Sequence, residues 1–243
     1  MAAFITGGSG RLGKELRKVF LDAIAPTHGE LDIRDAGKVE EYIIKFKFDT
    51  IIHCAALTGI QQCEQNKESA WETNVLGTQN LVNACIKSSL DCYFVYISTA
   101  CVFYGDRGNY SEDDIPYPKN FYSLTKLLGE FVVKSHNLAR WLIIRTNFIP
   151  RERWPYLKAF VDRWGTYLFA DDLALAIKRV IDQKLTGIVH ICGEDKVSMY
   201  QLAKITTPDI KPMTLAEYSG PPLTEDMTLS SKRILPFKLR REI

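Results

Sequence analysis

Thr6-Gly-Gly-Ser-Gly-Arg-Leu-Gly13 is the stretch on which the fold turns. Gly7, Gly10 and Gly13 form a G-x-x-G-x-x-G spacing that follows an apolar run at 2–6 and opens a helical pattern at 12–21. Three physical needs are met by such glycines: a tight turn after a strand, close approach of backbone to a pyrophosphate, and close seating of the helix on the strand. A helix that starts there turns its unpaired N–H groups and positive dipole end toward the turn, which suits a phosphate. Glycine triplets also mark plain turns. The strand before and the helix after supply the context that dinucleotide binding requires. Gly7, Gly10, Arg11, Leu12 and Gly13 are therefore the first cofactor-binding candidates.

Outward from this turn, short apolar runs alternate with longer amphipathic stretches. Strands are expected over 2–6, 23–26, 50–54, 92–97 and 141–145, and helices over 12–21, 39–46, 70–86 and 121–135. The alternation predicts an α/β Rossmann fold, a doubly wound parallel sheet covered on both faces. After Arg145 the pattern loosens, and the 150–169 stretch is crowded with Arg151, Arg153, Trp154, Tyr156, Trp164 and Tyr167. A helix over 171–181, a strand over 188–191 and a helix over 199–205 follow, and the proline-rich end from Pro208 is expected to be irregular. The domain reading is an NAD(P)-binding Rossmann domain over 1–146 and a small C-terminal substrate lobe over 147–243, interleaved with the last Rossmann elements at 171–191.

Composition narrows the function. A chain of 243 residues with net charge +2 has core enough for one domain and a lobe, and no basic surface for nucleic acid or membrane. Cys54, Cys63, Cys85, Cys92, Cys101 and Cys192 include no C-x-x-C pair, so they read as small buried hydrophobes of a reduced compartment. His28, His53, His136 and His190 lack metal-ligand spacing, and no metal is expected. With no apolar run of ~20 residues and no signal-peptide pattern, the expected location is cytoplasmic. Asp171 and Asp172 read as helix caps, and Lys238-Leu239-Arg240-Arg241 as a solvated tail.

The chemistry gathers at two places. In Tyr122-Ser-Leu-Thr-Lys126 the spacing of four sets phenol and ammonium on one helix face, where the ammonium is expected to lower the phenol pKa so that Tyr122 can move a proton. Ser98-Thr99 ends the 92–97 run, at the strand end where open α/β sheets bind ligands.

Together these features resemble the extended short-chain dehydrogenase/reductase family. Leu31-Asp32-Ile33-Arg34-Asp35 is similar to its adenine-contacting segment, and His53-Cys54-Ala55-Ala56 to its cofactor-lining strand end. Thr73-Asn74-Val75-Leu76-Gly77-Thr78 resembles its N-V-x-G-T helix, and Ala170-Asp171-Asp172-Leu173-Ala174 its V-D-D-x-A element. The resemblance spans roughly residues 1–205 and implies that Asp32, Ile33, Ala55, Ala56, Asn74, Tyr122 and Lys126 also touch the cofactor. It further implies Thr99, Tyr122 and Lys126 as catalytic residues and a nucleotide-sugar substrate, with a homodimer as the assembly to test. Within the family, the Ser98–Phe103 segment is most similar to reductases of nucleotide-activated 4-keto sugars, with Ala100 and Cys101 where those carry Asp and Tyr. A sugar-nucleotide epimerase or dehydratase, and a non-catalytic NADP-binding subunit, remain open beside the reductase. For substrate, Ser98, Thr99, Arg151, Arg153 and Trp154 are the candidates, since guanidinium forks match phosphate oxygens; a solvated loop and lobe core are the other uses of the last three. Cofactor choice is expected to favour NADP(H) over NAD(H). Thr27-His28-Gly29 follows the second strand with no acid before Glu30, and Thr27, His28 and Arg11 can all donate to a 2′-phosphate; Glu30 at the ribose would reverse this.

Overall fold

The computed structural model describes residues 3–88 and 91–241, so Ala2, the first residue of the expected leading strand, lies outside the described residues. Five strands, β1 (Ala3–Thr6), β2 (Thr50–His53), β3 (Tyr93–Ile97), β4 (Arg140–Thr146) and β5 (Gly187–Ile191), form one parallel sheet in that spatial order. β1, β2 and β3 are buried along their whole length, as strands covered on both faces must be.

The covering helices are α1 (Arg11–Val19), α2 (Ala36–Phe46), α3 (Ile60–Gln65), α4 (Lys67–Trp71), α5 (Gly77–Lys87), α6 (Phe121–Ser135), α7 (Ala170–Asp182) and α8 (Met199–Thr206). Successive strand residues point to opposite faces, and two cores result. Ile5, Ile52 and Ile144 meet Leu16 of α1 and Ile177 of α7. Phe4, Ile51 and Ile143 meet Ile43 of α2, Leu81 of α5 and Val133 of α6. The sequence-derived fold is thus found, with differences in detail.

The expected strand at 23–26 shrinks to one bridge, Ile24 with Phe4, held by Ile5 N–H to Ile24 O and Ile24 N–H to Ala3 O, both 2.9 Å. Pro26 has no N–H with which to extend it. Ile24 and β2 flank β1 on opposite sides, so the sheet reverses its winding at β1, where such sheets bind ligands. The expected helix over 70–86 is three pieces: α4, a π-helical turn at Glu72–Leu76, and α5. At Gly77 the chain passes so close to Ile33 that a Cβ would stand 2.7 Å from its Cδ1. The six-residue α3 was not expected.

Beyond β4 lie short pairings. Phe148–Ile149 runs beside Leu168–Phe169, Lys158–Phe160 beside Lys211–Met213, and Trp164–Gly165 between Val197–Ser198 and Asp226–Met227. The end of the chain is therefore less irregular than expected, since it supplies two of these strands. Nor is the basic run a solvated tail: Leu239 is buried, Arg240 pairs with Asp171 and Asp172, and Arg241 with Asp195. Asp171 and Asp172 do not cap α7. They sit in its first turn as partners of Arg151 and Arg240, while Phe169 occupies the cap without a side-chain bond. No helix among the described residues is long and apolar enough to cross a membrane.

Candidate active site

At the glycine turn, backbone lies against backbone. Gly7 has φ +70°, and a Cβ on it would lie 2.7 Å from Ala55 N; a Cβ on Gly13 would lie 2.1 Å from Gly7 O. Only glycine fits either place. Gly10 opens α1 with no side-chain cap, so the first N–H groups of the helix are left for another acceptor. A cleft of about 400 Å³ opens here, bringing together Gly7, Gly10, His28, Asp32, Ile33, Ala55 and Ala56 from the sequence-derived set. Ser9, Arg34, Ser69 and Thr73 also line it and were missed; Ser9, Arg34 and Thr73 stand inside the quoted motifs at positions given no role, and Ser69 lies before one with no signal of its own. Leu12 and Gly13 are buried behind the turn, and Arg11 is exposed at the head of α1. These features fit a dinucleotide: a cradle that side chains would fill, and a helix end without a cap.

Charged groups crowd the outer end of the cleft. Arg34 grips Asp32, with Nη2 2.6 Å from Oδ2, and holds that carboxyl below its ordinary range. His28 Nε2 lies 3.7 Å from Asp32. Thr27 donates its N–H (2.7 Å) and hydroxyl (2.9 Å) to Glu30, which keeps that carboxylate turned back on Thr27 and out of the cleft lining.

Asn74, on the π-helical turn, fixes the inner wall. Its Oδ1 accepts from Leu57 N–H at 2.8 Å, and its Nδ2 donates to Leu57 O at 3.0 Å and Thr125 Oγ1 at 2.9 Å. The loop after β2 is thereby tied to α6 between Tyr122 and Lys126. Beneath it His53 bonds Thr6 and Thr78 hydroxyls at 2.7 and 2.9 Å, and burial keeps the imidazole neutral by pushing its pKa well down.

Asn120 caps α6 through Ser123 N–H at 2.9 Å and so delivers Tyr122 to the end of β3. Burial pushes the Tyr122 phenol up, with a hydrogen bond from Thr99 acting the other way. The expected lowering by Lys126 is not found. Lys126 is itself lowered to about 7 by burial, which leaves it a partial charge, and its Nζ stands 4.1 Å from the Tyr96 ring centroid. Gly129, one turn on, admits Tyr96, whose hydroxyl would be 2.1 Å from a Cβ there. Thr99 caps a short 3-10 turn at Ala100–Val102, and Ser98 bonds Glu130.

The remaining substrate candidates lie beyond β4. Arg151 bridges Asp171 and Asp172 and stacks 3.9 Å over the Phe169 ring. Arg153 pairs with Asp209 at the surface, and Trp154 donates to Lys158 O while covering Ala159 and Ala203.

The sequence matches the family described as RmlD substrate binding domain over residues 1–222. The chain belongs to that family. Its resemblance to extended short-chain dehydrogenase/reductases is borne out by relatives of this RmlD-type chain. A dTDP-4-dehydrorhamnose reductase of Aggregatibacter actinomycetemcomitans is 30% identical over 225 residues, 82% of this chain and 76% of the relative. Methionine adenosyltransferase 2 subunit beta of Bos taurus is 27% identical over 233 residues, 82% of this chain and 69% of the relative. Among solved structures, the dTDP-4-dehydrorhamnose reductase of Clostridium acetobutylicum superposes with a TM-score of 0.85 at 29% identity, covering 95% of this chain and 90% of its own. The Bacillus anthracis enzyme of that name, in complex with NADP, gives 0.84 at 26% identity, covering 94% and 90%.

Proposed function

We propose that this RmlD-type chain is an NAD(P)-dependent oxidoreductase that reduces a nucleotide-activated 4-keto sugar in the cytoplasm. One juxtaposition carries the reading: the glycine-turn cleft is tied to the helix that carries Tyr122, because Leu57 of the cleft is bonded through Asn74 to Thr125 of α6. Relatives named as dTDP-4-dehydrorhamnose reductases agree with it.

In this proposal the pyrophosphate lies on Gly7, Gly10, Arg11, Leu12 and Gly13, and the adenine on Asp32 and Ile33. Ala55, Ala56 and Asn74 form the inner wall, and Tyr122 and Lys126 hold the nicotinamide ribose. A bound nicotinamide would supply hydride to the substrate carbonyl carbon. Tyr122 gives its proton to the carbonyl oxygen as charge develops there; a phenol raised by burial keeps that proton at neutral pH until it is needed. Thr99 hydrogen-bonds the same oxygen. Trp154 and the two arginines belong to the substrate side, and Ser98 backs Thr99 at the end of β3. Arg153 suits a diphosphate better than Arg151, since its pair with Asp209 is 75% and 73% exposed and worth little in water.

NADPH is the preferred cofactor, by a modest margin, because His28 offers a donor in the cleft and exposed Arg11 one at the head of α1, while Glu30 is engaged with Thr27. Dissociation constants for NADPH and NADH test this, with Arg11→Ala expected to weaken NADPH alone; tighter NADH binding would sink it. Loss of NADPH absorbance on adding dTDP-4-dehydrorhamnose tests the activity. Turnover without net oxidation would point to an epimerase, and cofactor binding with no turnover to a non-catalytic subunit.

A further inference from the structure

The two hydroxyls that close β3 are wired in opposite senses. Ser98 Oγ donates to Glu130 Oε1 at 2.5 Å, the length of a charge-assisted O–H···O⁻ bond. Arg145 grips that carboxylate through Nε at 2.9 Å and Nη2 at 2.7 Å, with both side chains buried. A carboxylate held in this way accepts and has no proton to return, so the one hydroxyl proton of Ser98 is committed. Its N–H is committed too, to Ile144 O at 2.7 Å. Thr99 Oγ1 instead accepts from Cys101 N–H at 3.1 Å and turns its own proton to the Tyr122 phenol, so that proton lies in the site and not in the buried ion pair.

Glu130 stands on α6 one turn beyond Lys126 and two beyond Tyr122, and Arg145 stands on β4. The helix that presents the phenol therefore also braces the strand end that presents the hydroxyls. Resting on the oxidoreductase reading above, we propose that Glu130 and Arg145 are positioning residues: they fix Ser98 as a strut, and of the two hydroxyls Thr99 alone donates to the substrate oxygen.

Kinetics separate the roles. Thr99→Val is expected to lower kcat about a hundredfold or more, as loss of a donor to developing charge does. Ser98→Ala, which removes fixation but no donated proton, is expected to lower kcat by about tenfold or less with KM within about twofold. Glu130→Gln alone strands a buried Arg145 and can unfold the chain, so the informative variant is Glu130→Gln with Arg145→Met, which removes both charges. It is expected to keep the NADPH dissociation constant and lower kcat about tenfold, and adding Ser98→Ala should cost nothing more, because the changes act through one contact. Equal losses for Ser98→Ala and Thr99→Val, or wild-type kcat in the double variant, would overturn the proposal. If the parent reduces no 4-keto sugar, the functional reading has failed by itself, and crystal structures of parent and double variant decide the strut. Ser98 is then expected to leave its rotamer and the 98–101 turn to shift; an unchanged turn overturns it.

Discussion

Tyr122 and Lys126 stand a helical turn apart, yet burial moves them in opposite directions, the phenol up and the ammonium down to about 7. Tyr122→Phe is expected to lower kcat by about 10²–10⁴, the usual worth of a positioned acid, while the NADPH dissociation constant changes far less; a near-parental rate would exclude Tyr122 as the acid. For Lys126 the readout is stability against pH. Below pH 7 folded and unfolded chains both carry the proton, and the folded one bears the full cost of burying it. Between about 7 and 10.5 the folded chain releases the proton first, and the cost is relieved. Lys126→Met should therefore raise Tm most near pH 6, by on the order of a few kcal/mol of stability, with the gain fading toward pH 10. A pH-independent Tm difference would contradict it. The Tyr-Lys spacing was legible in the sequence because four residues fix a shared helix face. The direction of the phenol's shift was not, because it depends on how deeply β3 and the cluster around Phe103 and Tyr167 bury that face.

Among the elements, the break between α4 and α5 matters most. A π-helical turn shares the apolar rhythm of the helices around it, so periodicity could not reveal it, just as α3 was too short to repeat. Strand and helix alternation was legible because it extends over many residues, and the edge at Ile24 was misjudged because one bridge satisfies the same apolar run. π-turns often lie at functional sites, and this one presents Asn74 to Leu57 and Thr125. Asn74→Ala removes three hydrogen bonds and leaves both peptide groups of Leu57 without that partner. It is expected to cost about 1–3 kcal/mol in denaturant unfolding and to weaken NADPH binding, since the wall at Ala55 and Ala56 loses its anchor. Unfolding unchanged, with affinity intact, would show that the loop holds itself.

For the molecule as a whole, the segment after β5 binds the rest together. Phe237 pairs with Cys192 and Gly193 beyond β5, Leu239 enters the apolar cluster of Phe103, Tyr167 and Phe169, and Arg240 reaches the head of α7. Leu239→Ala is expected to cost about 2–5 kcal/mol, as core truncations do, and Arg240→Ala under about 1 kcal/mol, as half-exposed pairs do. Thermal unfolding of the two variants gives the ranking, and the reverse order would mean that charge rather than burial secures the segment. Charge and proline content concealed this role in the sequence, because nothing local distinguishes a strap from a solvated end.

The interleaving has a consequence for synthesis. Trp164–Gly165 takes its neighbours from Val197–Ser198 and Asp226–Met227, so this small sheet cannot close until residues some sixty positions later have left the ribosome. During that interval β1 through β4 are already synthesised and can pair with one another, while the cluster around Tyr167 and Met227 stays open. Long-range closure of this kind is slow and exposes apolar surface as it waits. The cell's chaperones therefore have more to hold in the last third of translation than in the first two.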